Sequence, residues 1–155
     1  MLIVGAAAAE PDRFAERIVE ERGIAFSLSK VRGLLAGKVA ADQIDSKARE
    51  LLDAAVAKRL DSGQTVVLAI EGFDPAERER YVRLAHGNRR PRHLILLEAP
   101  RDQVRDDERP GLDELRRALD ANELGKEGFA TTLRLGGNAL GELKRIVFAA
   151  PPRDD

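Results

Sequence analysis

The chain has no cysteine and no tryptophan, one methionine, one tyrosine and two histidines. Without thiols there are no disulfides and no thiolate metal centres, and two histidines are too few for a histidine-rich metal site. Aromatic residues make up 4% of the chain, and none is interleaved with basic residues as a base-stacking surface requires. No apolar run approaches the roughly 20 residues of a membrane span. Leu2-Ile3-Val4 is too short to be the apolar core of a secretory signal. The formal charge is −1, so no global field draws the chain toward nucleic acid. These absences lead to the expectation of a cytoplasmic protein with no membrane partner, no metal and no cofactor.

What is present is an alternation. The 155 residues suit one domain large enough to bury a core. Apolar or β-branched runs at Leu2–Gly5, Ile24–Leu28, Thr65–Ile70, His93–Glu98, Thr131–Leu135 and Ile146–Ala149 read as strands. Between them, Pro11–Arg22, Asp42–Leu60, Asp74–His86 and Leu112–Asn122 carry apolar residues at helical spacing. The runs at 2–5, 66–70 and 94–97 lack polar alternation, which is how strands covered on both faces read. The expected fold is therefore α/β, a three-layer α/β/α sandwich with a mainly parallel sheet over residues 1–150 and a frayed tail at 151–155.

The first fourteen residues have the layout of a phosphate-binding loop, G-x-x-x-x-G-K-[ST], between a strand and a helix. Gly5 matches the first glycine. The second glycine falls on Glu10, the lysine on Pro11 and the hydroxyl residue on Asp12. The frame is kept and its phosphate-contacting groups are replaced.

Further segments extend this likeness. Ser27-Leu28-Ser29-Lys30-Val31-Arg32-Gly33-Leu34-Leu35-Ala36-Gly37 resembles an "SxDxLRxxLxG" segment. Thr65 to Arg78 resembles "TVVxDATNxxPxxR", His93 to Pro100 the next strand and the turn into a lid, and Glu127-Gly128-Phe129 the start of "EGFDEV". In this order the segments resemble P-loop kinases related to bacterial polynucleotide kinase, of the AAA and zeta-toxin-like type. The resemblance implies a P-loop kinase-like domain with a reduced lid at about 100–122. It also implies where activity would reside. The aspartate that accepts the proton of the attacking hydroxyl corresponds to Ser29. The aspartate and asparagine of "DATN" correspond to Ala69 and Gly72. The phosphate-clamping arginines of the lid correspond to Arg101, Arg105 and Arg109, here with Asp106, Asp107 and Glu108 among them.

These departures read as loss. Phosphoryl transfer needs positioning and positive charge around the moving group. Glu10 and Asp12 put carboxylates where phosphate would sit, and like charges about 4 Å apart repel by about 4 kcal/mol at an effective dielectric of 20. Pro11 lacks an amide donor, and proline with an acid in the first turn suits a helix that has replaced its ligand with its own side chains. The expectation is a catalytically inactive P-loop kinase-like protein that serves as a binding, regulatory or assembly module. Two alternatives stand beside it. One is a divergent ATP-dependent nucleotide or polynucleotide kinase with relocated groups, Glu71 or Asp74 acting as base. The other is a non-catalytic nucleic-acid binder using Arg32, the cluster at 89–92 and the lid arginines.

Each residual candidate has two readings. Arg32 holds a phosphate or makes a surface salt bridge. Glu71 is a surviving acid at the carboxyl edge of the sheet, where α/β ligands bind. Arg101, Arg105 and Arg109 recur every four residues, which would align them on one helix face as an anion clamp or as a self-paired exposed surface. Arg89-Arg90-Pro91-Arg92-His93 is a basic patch or a solvated loop, and His86 faces solvent or the last carbonyls of its helix. A protein partner or a second copy could use the region 136–150, where Ile146-Val147-Phe148-Ala149-Ala150 is either a pairing edge or core.

Overall fold

The computed structural model describes residues 1–19, 23–89 and 91–136. Among these residues five strands form one all-parallel sheet: β1 (Leu2–Gly5), β2 (Ala25–Ser27), β3 (Val67–Glu71), β4 (His93–Leu97) and β5 (Thr131–Leu135), in the order β2-β3-β1-β4-β5. The helices are α1 (Pro11–Ile18), α2 (Leu28–Leu35), α3 (Ile44–Asp61), α4 (Pro75–Gly87), α5 (Arg109–Asp120) and α6 (Leu124–Glu127), with short 3-10 turns at Ala7–Ala9 and Arg101–Gln103. This is the three-layer α/β/α arrangement that the alternating pattern leads one to expect.

Side-chain alternation along the strands divides the core in two. Leu2, Val4, Leu68, Leu94 and Leu96 meet Leu52 and Val56 of α3, Tyr81 and Val82 of α4, and Leu112 and Leu115 of α5. Ile3, Val67, Ala69, Ile95 and Leu97 point the other way and meet Phe14, Ala15 and Ile18 of α1. Each large apolar side chain removed from water in this way stabilises the fold by about 1.5–3 kcal/mol. The division also places the crevice. The helix after β1 lies on one face and the helix after β3 on the other, so the sheet opens between these neighbouring strands at their carboxyl ends. Ligands of open α/β sheets bind at such switch points.

Several boundaries move for identifiable reasons. The second strand ends at Ser27 rather than Leu28, because the Ser27 hydroxyl accepts the Lys30 N–H at 3.0 Å and caps α2. Helix α2 has no separate counterpart among the expected helices. Val31 and Gly33 weaken its local preference, and none of its residues is fully buried. Helix α4 begins as Asp74-Pro75 predicts, with Asp74 accepting the Ala76 N–H at 2.9 Å. Helix α5 begins at Arg109, three residues before the expected Leu112, because Pro110 is tolerated within the first turn. The third strand runs Val67–Glu71 against the expected Thr65–Ile70. The expected strand at Ile146–Ala149, the tail at 151–155 and the end of the first expected helix at 20–22 lie outside the described residues.

Candidate functional site: an acidic cleft at the carboxyl end of the sheet

Gly5 ends β1 level with Glu71 of β3 and Leu97 of β4. A side chain there would meet Ala9 Cβ and Leu97 Cβ, both at 3.2 Å, so glycine is what lets the loop fold back over the strand end. The Gly5 carbonyl accepts the Gly72 N–H at 2.9 Å, tying the loop to the end of β3. The loop then coils: Ala9 N–H donates to Ala6 O at 2.9 Å and Glu10 N–H to Ala7 O at 3.1 Å. Those two amides are committed to the turn, and Pro11 has none to offer.

The Ala7 N–H is met by a carboxylate from the far side of the crevice. It donates to Glu108 Oε2 at 2.9 Å, across 101 residues of sequence. Glu108 stands just before α5 and is buried, at 7% exposure. Its other oxygen accepts from the Arg105 backbone N–H at 3.3 Å and lies 3.2 Å from the Arg105 guanidinium. A backbone donor of the kind that holds a phosphate in such a loop is thus occupied by the protein's own anion.

This arrangement corrects the expectation that α1 fills the cradle with its own acids. Glu10 adopts a left-handed conformation (φ 47°), makes no side-chain cap and turns outward to Arg13 at 3.3 Å. Asp12 reaches sideways to β2, where the Ser27 hydroxyl donates to its Oδ2 at 2.9 Å. Burial pushes the Asp12 carboxyl up from its ordinary value and Glu16 adds to the rise, while the Ser27 hydroxyl and Lys30 oppose it.

The remaining sequence candidates separate. Ser29 is exposed in the first turn of α2, on the wall of the cleft. Ala69 is buried at 4% exposure in the core against α1. Gly72 has φ 114°, a backbone that strains any side chain. Arg32 is a surface salt bridge: its Nε lies 2.7 Å from Asp45 and both side chains are largely exposed. The three lid arginines do not share a helix face. Arg101 is in a 3-10 turn, Arg105 is outside any helix and Arg109 is at the start of α5, because the chain turns extended at Val104 (φ −81°, ψ 125°). Arg105 pairs with Asp107 and Glu108, and Arg109 pairs with Asp106 at 3.0 Å. Glu71 is exposed and lines both of the clefts that flank this edge.

Those clefts are acidic. One, of about 490 Å³, presents Glu10, Asp12, Glu16 and Glu71 against Arg13 and Lys30. The other, of about 360 Å³, presents Glu71, Asp74, Asp107 and Glu108 against Arg105. A polyphosphate entering either one meets a surplus of its own sign. Among the described residues no cluster of three or more His, Asp or Glu has the arrangement to hold a metal ion. None of the described helices is long and apolar enough to cross a membrane. Neither protein-family models nor curated proteins match this sequence.

Three residues matter more than the sequence suggests. Ser27 both caps α2 and holds Asp12. Arg78, 5% exposed, donates to Glu127 at 3.2 Å and to the Phe73 carbonyl at 3.3 Å, so the "R" and "EGF" segments meet in an ion pair between α4 and α6. Glu108 closes the loop. Glu108 stands at the start of α5 but makes no side-chain cap there, so no local signal singles it out. Its reach to Ala7 depends on tertiary folding.

Proposed function

We propose that the chain is a catalytically inactive relative of the P-loop kinases related to bacterial polynucleotide kinase, a scaffold that acts as a binding, regulatory or assembly module. One observation carries this reading: the buried Glu108 carboxylate accepts the Ala7 N–H at 2.9 Å in the loop after β1. Phosphoryl transfer relies on preorganised positive charge, whereas the groups around this loop are mostly acids. The matched positions support the same reading. No lysine follows the loop, Ser29 is a poor base, Ala69 is enclosed by apolar side chains, and Gly72 has no side chain.

Calorimetric titration of the whole chain with ATP and magnesium tests the reading, alongside thermal unfolding in the same mixture. The expected result is no saturable heat and no rise in midpoint. Saturable binding in the micromolar range, lost on substitution of Glu71 or Lys30, would return the chain to the enzymes.

A further inference from the structure

We infer that the opposite end of the molecule, beyond the last turn of α4, is a docking site for a phosphate-bearing chain. His86, Gly87, Arg89, Pro91, Arg92 and Ala130 line an open depression of about 760 Å³ there, with no carboxylate among them. Helix α4 runs against the strands, so this depression lies at the amino end of the sheet, away from the acidic clefts. The inference does not depend on the proposed loss of catalysis.

The simplest role for cations at this position is to neutralise the carboxyl end of α4. The structure has already supplied that role by other means. Asn88 N–H donates to Ala85 O at 3.2 Å, Arg89 N–H to His86 O at 3.0 Å and the Asn88 side chain to Leu84 O at 3.0 Å. The last carbonyls are therefore capped without a guanidinium. Many arginines elsewhere are taken up by acids, as Arg32 is by Asp45, Arg117 by Glu114 and Glu123, and Arg134 by Glu98 and Asp120. Among the described residues no carboxylate pairs with Arg89.

Two features organise the cations. Arg92 is fixed: its Nε donates to the Gly128 carbonyl at 2.7 Å, and its Nη1 lies 3.4 Å from His86 Nδ1. Arg89 has φ 55° at the position just past the helix, where glycine or asparagine is usual. An arginine is held there although Gly87 and Asn88 immediately precede it. Guanidiniums suit phosphate oxygens because they donate paired N–H bonds in a plane. An open depression with one fixed and one exposed guanidinium suits an extended chain of phosphates better than an enclosed small molecule.

The test is fluorescence anisotropy of a labelled single-stranded oligothymidylate with the whole protein across a salt series, competed by tripolyphosphate. Two guanidiniums predict a log–log salt slope of about −1.4. Arg89→Gly keeps the backbone conformation and should weaken binding about tenfold or more. Arg83→Ala, two turns back on α4, should leave binding unchanged. Competition by tripolyphosphate assigns recognition to phosphate itself, and failure to compete confines the ligand to a nucleic-acid backbone. Absence of saturable binding at low salt, or equal affinity of wild type and Arg89→Gly, overturns the inference.

Discussion

The two ends of the sheet carry opposite charge and handle it in opposite ways. At the carboxyl end, acids are drawn inward and held by protein donors: Glu108 by Ala7 and Arg105, Asp12 by Ser27, Glu98 by Arg116 and Arg134. At the amino end, Arg89 lies exposed beside a fixed Arg92, with no acid among the described residues that line the depression. A phosphate cradle combines a shape with a sign. The shape, a strand, a glycine and a helix start, follows from sheet topology and remains at Gly5. The sign depends on a few side chains, and at this end they are mostly negative.

Adding a buried acid at the carboxyl end is the most severe way to break the comparison. Ala69 is enclosed by the apolar core against α1, so Ala69→Asp buries a charge without a partner. The expected loss is about 3–5 kcal/mol, read from urea unfolding. A loss below about 1 kcal/mol would mean that water reaches this position. Glu108→Ala comes next. It leaves the Ala7 N–H without its acceptor and should cost about 1–3 kcal/mol, with faster hydrogen exchange at the Ala7 amide. Glu108→Gln retains an acceptor oxygen and should fall between the alanine variant and wild type. Unchanged exchange at Ala7 in the alanine variant would show that Glu108 does not hold the loop.

The sequence carried the layers and not the latch. Strands β1, β3 and β4 were legible because unbroken apolar runs can only be buried on both faces. Helix α4 was legible because Asp74-Pro75 is a local signal with a local cause. The carboxyl edge was legible as a place, since Gly5 and Glu71 end strands. Its contents were not. Glu108 and Ala7 are 101 residues apart, and no spacing rule links them. Helix α2 was hidden for a different reason: Val31 and Gly33 weaken its helix preference, and none of its residues is fully buried. The lid arginines misled because a four-residue repeat aligns side chains only if the chain stays helical, and it turns extended at Val104.

Acid sharpens the comparison within the carboxyl end itself. Burial of Glu98 pushes its carboxyl up, but the guanidiniums of Arg116 and Arg134 outweigh it and the net direction is down from 4.5. Its ion pairs therefore stabilise the fold above that value, and the stabilisation is lost as pH falls through the lower folded value. Asp12 shifts the other way, up from 3.8, chiefly through burial. Its ionisation is a penalty at neutral pH that is relieved as pH falls through the folded value. Glu98→Gln should cost about 1–2 kcal/mol at pH 7 and less near pH 3. Asp12→Asn should gain slightly at pH 7 and lose that advantage in acid. Urea midpoints at both pH values read the difference. Parallel shifts for either variant at the two pH values would remove these carboxylates from the acid response.

The smallest expected effect separates a binding residue from a structural one at the amino end. Arg89 holds a left-handed backbone at φ 55°, which costs a residue with a side chain about 1 kcal/mol relative to glycine. Arg89→Gly removes that strain but adds freedom to the unfolded chain, so a gain of a few tenths to about 1 kcal/mol is expected. The same substitution should weaken phosphate-chain binding. Opposite signs for stability and binding are the mark of a side chain kept for what it touches outside the fold. If Arg89→Gly instead loses both stability and binding, the guanidinium belongs to the end of α4, and the charge difference between the two ends of the sheet is a by-product of helix capping.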